Sequence, residues 1–203
     1  MGVYLQGLTM GLAYVAPIGL QNLFVINSAL THTRRRALLT ALIVIFFDVT
    51  LALACFFGVG AVMERYAWLQ MAILLVGSLI VIYIGVGLLR AKVAELEQSR
   101  AESSIRKTIS SACVVTWFNP QAIIDGTMML GAFHATLSGP EGITFITGVA
   151  SASCLWFTGV TLLISIFSNR FDAKILRIIN VVCGAVIIFY GCKLLWSFVN
   201  MVM

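Results

Sequence analysis

The sequence predicts an all-α, polytopic membrane protein: six transmembrane helices forming two inverted three-helix halves, with helices one and four broken. Three observations carry that expectation. The 203 residues are 61% hydrophobic and 10% charged, against about 45–50% apolar and about 25% charged in soluble domains. Apolar runs long enough to cross a bilayer, about 20 residues each, recur with short polar segments between them. The basic residues alternate: loops one, three and five hold three, five and three Lys or Arg, and loops two and four hold one and none. The positive-inside rule then puts the odd-numbered loops in the cytoplasm and both termini outside. The whole chain, 1–203, is expected to be one transmembrane domain. Its halves, about 1–90 and 108–203, are joined by a cytoplasmic loop at 91–107.

Span one runs from about Val3 to Asn27 and contains Ala16-Pro17-Ile18-Gly19-Leu20-Gln21-Asn22. Proline removes a backbone donor and clashes with the carbonyl four residues back. In hydrocarbon the freed carbonyls need partners, so such a break survives only against protein or a water-filled cavity. Its start lacks a basic n-region, so it reads as an uncleaved first span. A polar segment, Ser28 to Arg36, leads to span two, about Ala37 to Ala61, with Asp48 near its centre. Glu64 and Arg65 mark a tight connection to span three, about Tyr66 to Leu89. The longest polar segment, Arg90 to Lys107, reads as helical extension or exposed loop. Span four, about Thr108 to Phe133, holds Asn119-Pro120 and then Asp125. The turn Ser138-Gly139-Pro140 precedes span five, about Gly142 to Ser168. A basic loop with Arg170, Lys174 and Arg177 leads to span six, about Ile178 to Phe198.

Span one enters from outside and span four from the cytoplasm, which is what makes the halves inverted. Interrupted helices at corresponding places in two such halves point to a transporter's central site. Aligning Pro17 with Pro120 sets Asn22 opposite Asp125, each five residues after its proline.

Asp48 is the sharpest single signal. A carboxylate at the centre of a membrane helix costs roughly 2.5–3.5 kcal/mol on insertion scales and is rare without a partner or a role. It suits a residue that exchanges a proton for a cationic substrate; the competing reading is a structural Asp bonded to a neighbouring helix. Asp125 follows the second break by about a turn and reads either as a pathway residue or as a cap for amides freed at Pro120. Gln21, Asn22, Asn119 and Gln121 either bind substrate or satisfy broken backbone. With Gly19 opening the chain beside Pro17, amides at a half-helix N-terminus could hold a substrate carboxylate.

Other polar residues carry less. Gly7-x-x-x-Gly11 fits a close helix contact. Thr147, Ser151, Ser153 and Thr158 of span five either line a cavity or act as interhelical glue, and Trp156 reads as packing. His32 and His134 lack acidic or thiol neighbours at ligand spacing and read as surface residues. The five cysteines show no C-x-x-C spacing, and no cofactor or metal cluster is indicated. The net charge of +5 sits in loops and needs no nucleic acid; cytoplasmic anionic lipid is the expected contact of Arg34, Arg35 and Arg36.

With both breaks and both aspartates in view, the chain resembles the lysine exporter (LysE) family of amino-acid exporters. Pro17-Ile18-Gly19-Leu20-Gln21-Asn22-Leu23-Phe24-Val25 is similar to the family's first-helix signature, which commonly reads P-x-G-P-Q-N-x-F-V. Asp48 matches the acidic residue of the second helix, and Asn119-Pro120 through Asp125-Gly126 looks like the N-P-x-x-x-x-D segment of the fourth. Length and span count agree across the whole chain. The resemblance implies a bacterial inner-membrane exporter driven by an ion gradient, with proton or sodium as coupling ion; the direction of transport comes from it alone. It also bears on substrate. Exporters of homoserine and threonine usually carry an apolar residue where the lysine/arginine branch, like this chain, has Asp. One departure is Leu20, where the family often has a second proline, so the first break is expected to be milder or differently shaped.

The resulting expectation is a multi-pass exporter of amino acids, preferably basic ones, working by alternating access and not an enzyme. Asp48 and Asp125 would take the cationic group or coupling proton. Backbone amides with Gln21 and Asn22 would take the α-carboxylate, and Pro17, Gly19, Asn119 and Pro120 would shape the site. A neutral amino-acid exporter and a divalent metal-cation exporter are the near alternatives, and an intramembrane aspartyl-type enzyme is the distant one. Oligomeric state is left open, a homo-oligomer included.

Overall fold

The structure is a computed structural model that describes residues 2–58, 66–90, 104–134, 136–137, 139–167 and 173–202. The described residues are helical and contain no strand. In chain order they form α1 (Gly2–Val15), α2 (Leu20–Thr31), α3 (Arg34–Phe56), α4 (Ala67–Arg90), α5 (Ile105–Trp117) and α6 (Pro120–Gly126). A π-helical turn follows at Thr127–Gly131, then α7 (Ala132–His134), α8 (Gly139–Phe167) and α9 (Ala173–Val202). Among the described residues, three helices are long and apolar enough to cross a membrane on their own: Arg34–Phe56, Gly139–Ile166 and Gly184–Met201. The pair α1 and α2 qualifies as a fourth, bent by 77° at its break.

That bend answers the expectation raised by Leu20: the first break is sharp, although Leu20 is not proline. Pro17 and the extended Gly19 (φ −129°, ψ −169°) suffice to end α1 and begin α2. The second break is shorter, two residues at 118–119, with Asn119 extended before Pro120 at the first position of α6. Proline is tolerated there because that N–H has no intrahelical partner.

Several boundaries move. Only His32 and Thr33 separate α2 from α3, so the segment expected as a polar loop to Arg36 is mostly helix. Arg34, Arg35 and Arg36 form the first turn of α3, where long basic side chains can snorkel toward an interface. Gly139 and Pro140, expected as a turn, open α8; proline fits a first turn for the reason just given. Lys174 and Arg177 lie within α9. Glu64, Arg65, Ser138, Arg170 and loop 91–103 lie outside the described residues.

Packing is dominated by two long contacts. The first sets α4 against α9 and the second α1 against α8; α3 lies against α8 and α5. Without water between helices, close backbone approach does the work that apolar burial does in soluble proteins. A Cβ at Gly7 would collide with the Phe145 carbonyl, one at Gly148 with the Tyr4 carbonyl, and one at Gly184 would come within 2.9 Å of the Gly85 carbonyl. The Gly7-x-x-x-Gly11 stripe is therefore intramolecular.

The contacts also give directions. Gly7 meets Phe145 and Gly11 meets Val149 and Ala152, so α1 and α8 run parallel. Arg36 bonds Thr108 at 3.2 Å and Thr50 accepts from Trp117 at 3.2 Å, so α3 and α5 run parallel. Gly85 meets Gly184 and Ile82 meets Gly191, so α4 and α9 run antiparallel. One end of the bundle thus gathers the starts of α3 and α5. The opposite end gathers Phe56, Phe57 and His134, whose rings lie 4.9 Å (Phe56–His134) and 5.4 Å (Phe57–His134) apart.

Candidate functional site

Asp48 lies at the middle of the bundle with no exposed surface. Its Oδ1 accepts from Gln21 Nε2 at 3.0 Å and its Oδ2 from Ser153 Oγ at 2.6 Å. The Gln21 amide also donates to Thr116 Oγ1 at 3.1 Å. One carboxylate thus ties together α2 just after the first break, α3, α8, and through Gln21 the last turn of α5 before the second break. Thr116 and Ser153 are fully buried. Both donors to Asp48 are neutral, so the site offers a negative charge whose lone pairs are only partly used. Hydrogen bonds to a charged group contribute about 1.5–3 kcal/mol each, enough to offset much of the cost of placing it there.

The first break is repaired from within. Asn22, 5% exposed, donates through Nδ2 to the carbonyls of Val15 at 2.8 Å and Pro17 at 2.7 Å. Its Oδ1 accepts from Trp156 Nε1 at 2.8 Å. Both N–H groups and the oxygen are spent on protein in this conformer. Gly19 accepts the first α2 bond, from Leu23 N–H at 3.0 Å, and the N–H groups of the first turn of α2 are the ends that a helix leaves without intrahelical partners.

The second break is held from outside itself. Tyr14 OH donates to the Ala122 carbonyl at 3.4 Å, Cys55 Sγ to the Ile123 carbonyl at 3.6 Å, and Trp117 Nε1 to Thr50. Gly77 of α4 leaves room for the Phe118 carbonyl. Asn119 is buried, and its side chain does not cap α6. Asp125 is half-buried and accepts from exposed Gln121, one turn earlier, at 2.8 Å. The π turn begins two residues on, a feature that often marks functional sites.

Among the described residues Asp48 and Asp125 share no hydrogen-bond partner, and Tyr14 packs against Gly126, the residue after Asp125. Tyr14, Thr116 and the donor role of Trp156 were missed in the sequence. Tyr14 precedes the first break by two residues and Thr116 the second by two, and proximity to the prolines was the one available signal. Of the span-five hydroxyls, Ser153 reaches Asp48, whereas Thr147 and Ser151 bond carbonyls of their own helix. An apolar groove of about 200 Å³ opens between α3 and α8, lined by Val49, Ala52, Leu53, Ile146, Thr147 and Ala150; it carries no charge.

His134 is exposed, but His32 is half-buried at the end of α2. Burial, the largest cause, and nearby Arg36 push its pKa below the ordinary value, against a backbone hydrogen bond to Ser28 that raises it. Among the described residues no three His, Cys, Asp or Glu side chains gather as a metal site would require.

The chain matches the family model described as LysE type translocator over residues 12–197. It is 35% identical over 196 residues to the "Arginine exporter protein ArgO" of Klebsiella pneumoniae (strain 342), covering 94% of this chain and 92% of that protein. The protein of the same name from Salmonella newport (strain SL254) is 35% identical over 188 residues, with 90% and 88% covered. That from Escherichia coli (strain K12) is 33% identical over 196 residues, with 94% and 92% covered. No solved structure gives a significant match. A helical membrane chain matched along nearly its whole length, with both breaks inside the matched region, belongs to the LysE type translocator family.

Proposed function

We propose that this protein is a secondary active exporter of basic amino acids in a bacterial inner membrane, arginine first among them, coupled to an ion gradient. The observation that carries the reading is the buried Asp48 carboxylate, held by neutral donors beside a broken helix. Asp48 takes the cationic group or, in its absence, a proton. The N–H groups of the first turn of α2, which a helix leaves without intrahelical partners, take the α-carboxylate, where the helix dipole favours negative charge. Gln21 links these two positions. Asp125 lies along the pathway and attracts the same cation from a half-exposed position. Pro17, Gly19, Asn119 and Pro120 set the backbone at the two breaks, and Asn22 splints the first. The relatives named as arginine exporters support the substrate class, as does a carboxylate at Asp48 whose partners among the described residues are neutral donors.

Alternating access comes from two inverted halves of three spans each. Exchanging α1–α2 with α5–α7, α3 with α8 and α4 with α9 carries the α1–α8 contact onto the α5–α3 contact. It leaves the α4–α9 and α3–α8 contacts in place. The helix directions obey the same exchange, parallel for α1 with α8 and for α5 with α3. Grouping of the α3 and α5 starts at one end supports a cytoplasmic face there and termini outside.

Purified protein in liposomes loaded with labelled arginine tests the reading. Efflux that is saturable, is accelerated by an imposed proton or sodium gradient and is absent from protein-free vesicles is expected. No arginine movement under any gradient, with protein correctly inserted, overturns it.

A further inference from the structure

Resting on that reading, we infer that Trp156 is a positioning residue of the transport site, acting through Asn22 on the alignment of Gln21 with Asp48. The indole N–H is a donor and nothing else, so it selects the oxygen of the Asn22 carboxamide. That choice leaves both Asn22 N–H groups facing the Val15 and Pro17 carbonyls, two acceptors that the break strips of helical partners. The 77° bend is thereby held at its inner edge. Gln21 is the next residue back, and its amide bridges Asp48 and Thr116. Ser153, which holds the other oxygen of Asp48, lies three residues before Trp156, on the same face of α8. One face of α8 thus grips both the charge and the break. The Trp156 ring packs against the cluster of Val15, Val25, Val44 and Phe157, so Trp156→Phe keeps apolar contact and removes the donor. Asn22 is then free to turn over and release a carbonyl.

The test compares wild type, Trp156→Phe, Asn22→Ala and the double variant in liposomes. Trp156→Phe is expected to raise the half-saturating arginine concentration about tenfold with little change in maximal rate, as for loss of one buried hydrogen bond. The double variant is expected to match Asn22→Ala alone. Losses that multiply, or an unchanged half-saturation in Trp156→Phe, overturn the inference. Hydrogen exchange gives a readout that needs no transport. Trp156→Phe should speed exchange at residues 18–23 and leave the α4–α9 pair unchanged, whereas a uniform rise along all helices would mark a structural role and overturn it. Trp156→His restores a donor, because imidazole Nε2 occupies the place of indole Nε1 in the five-membered ring. It should recover protection at 18–23, and behaviour identical to Trp156→Phe contradicts the inference. Wild type that moves no arginine would sink the exporter reading and leave the exchange result to stand or fall alone.

Discussion

The two breaks begin from similar sequence, a proline beside amides within an apolar run, and end as different devices. Break one spans residues 16–19, turns the chain by 77°, and is splinted by its own Asn22. Break two spans two residues and is held by Tyr14, Cys55 and Thr50 from other helices. Break one adjoins a carboxylate with no exposed surface, and break two leads to one that is half-buried beside an exposed glutamine. The difference suits a division of labour: a preformed, dry site at Asp48, and a softer, wetter approach at Asp125 and the π turn. A charge in the low-dielectric interior interacts far more strongly than one near solvent, so discrimination should concentrate at break one.

That division predicts graded effects. Asp48→Asn should reduce arginine efflux about 100-fold, near the upper end of what a lost charged partner removes, with the protein still in the membrane at wild-type level. Asn22→Ala comes next: it removes the partner of the buried Val15 carbonyl, at a cost of about 1–3 kcal/mol, and of the part-buried Pro17 carbonyl, at less. It should lower both the thermal midpoint in detergent and the efflux rate. Asp125→Asn should raise half-saturation by roughly tenfold or less, because solvent screens a half-exposed carboxylate. Equal losses in the two aspartate variants would abolish the distinction. Smallest of all, Leu20→Pro should change efflux less than about threefold. Position 20 is the first of α2, where a missing N–H breaks no intrahelical bond; the substrate carboxylate keeps the N–H groups of Gln21 and Asn22, and the rest of the loss is packing of a buried leucine.

Helix content, the two broken segments and the need of Asp48 for buried partners were legible because each violates or obeys a strong local rule: apolar length, proline geometry, charge in hydrocarbon. The sharpness of break one was not legible. Leu20 suggested a gentler or differently shaped bend, and nothing local announced that Asn22 reaches back to two carbonyls and accepts from Trp156, a tertiary arrangement. Nor could the sequence separate Asn22 from Gln21. Adjacent amides of similar chemistry face different ways, one spent on backbone and the other on Asp48, and only helix phase decides which. Thr116 and Tyr14 carry ordinary hydroxyls at ordinary positions, and their roles come from α2 and α6 lying beside them. The arginines of the first basic segment were legible as topology signals but misplaced as loop, because helix start signals are weak where basic residues precede an apolar run.

The most direct test of the central claim, that Asp48 reads the positive charge of the substrate, is paired efflux of arginine and its uncharged isostere citrulline from the same liposomes. Wild type should export arginine at least about tenfold faster than citrulline, as one charge-assisted contact implies. Asp48→Asn should bring the two rates together while Asp125→Asn preserves most of the difference. An Asp48→Asn protein that still prefers arginine as strongly as wild type would contradict the account.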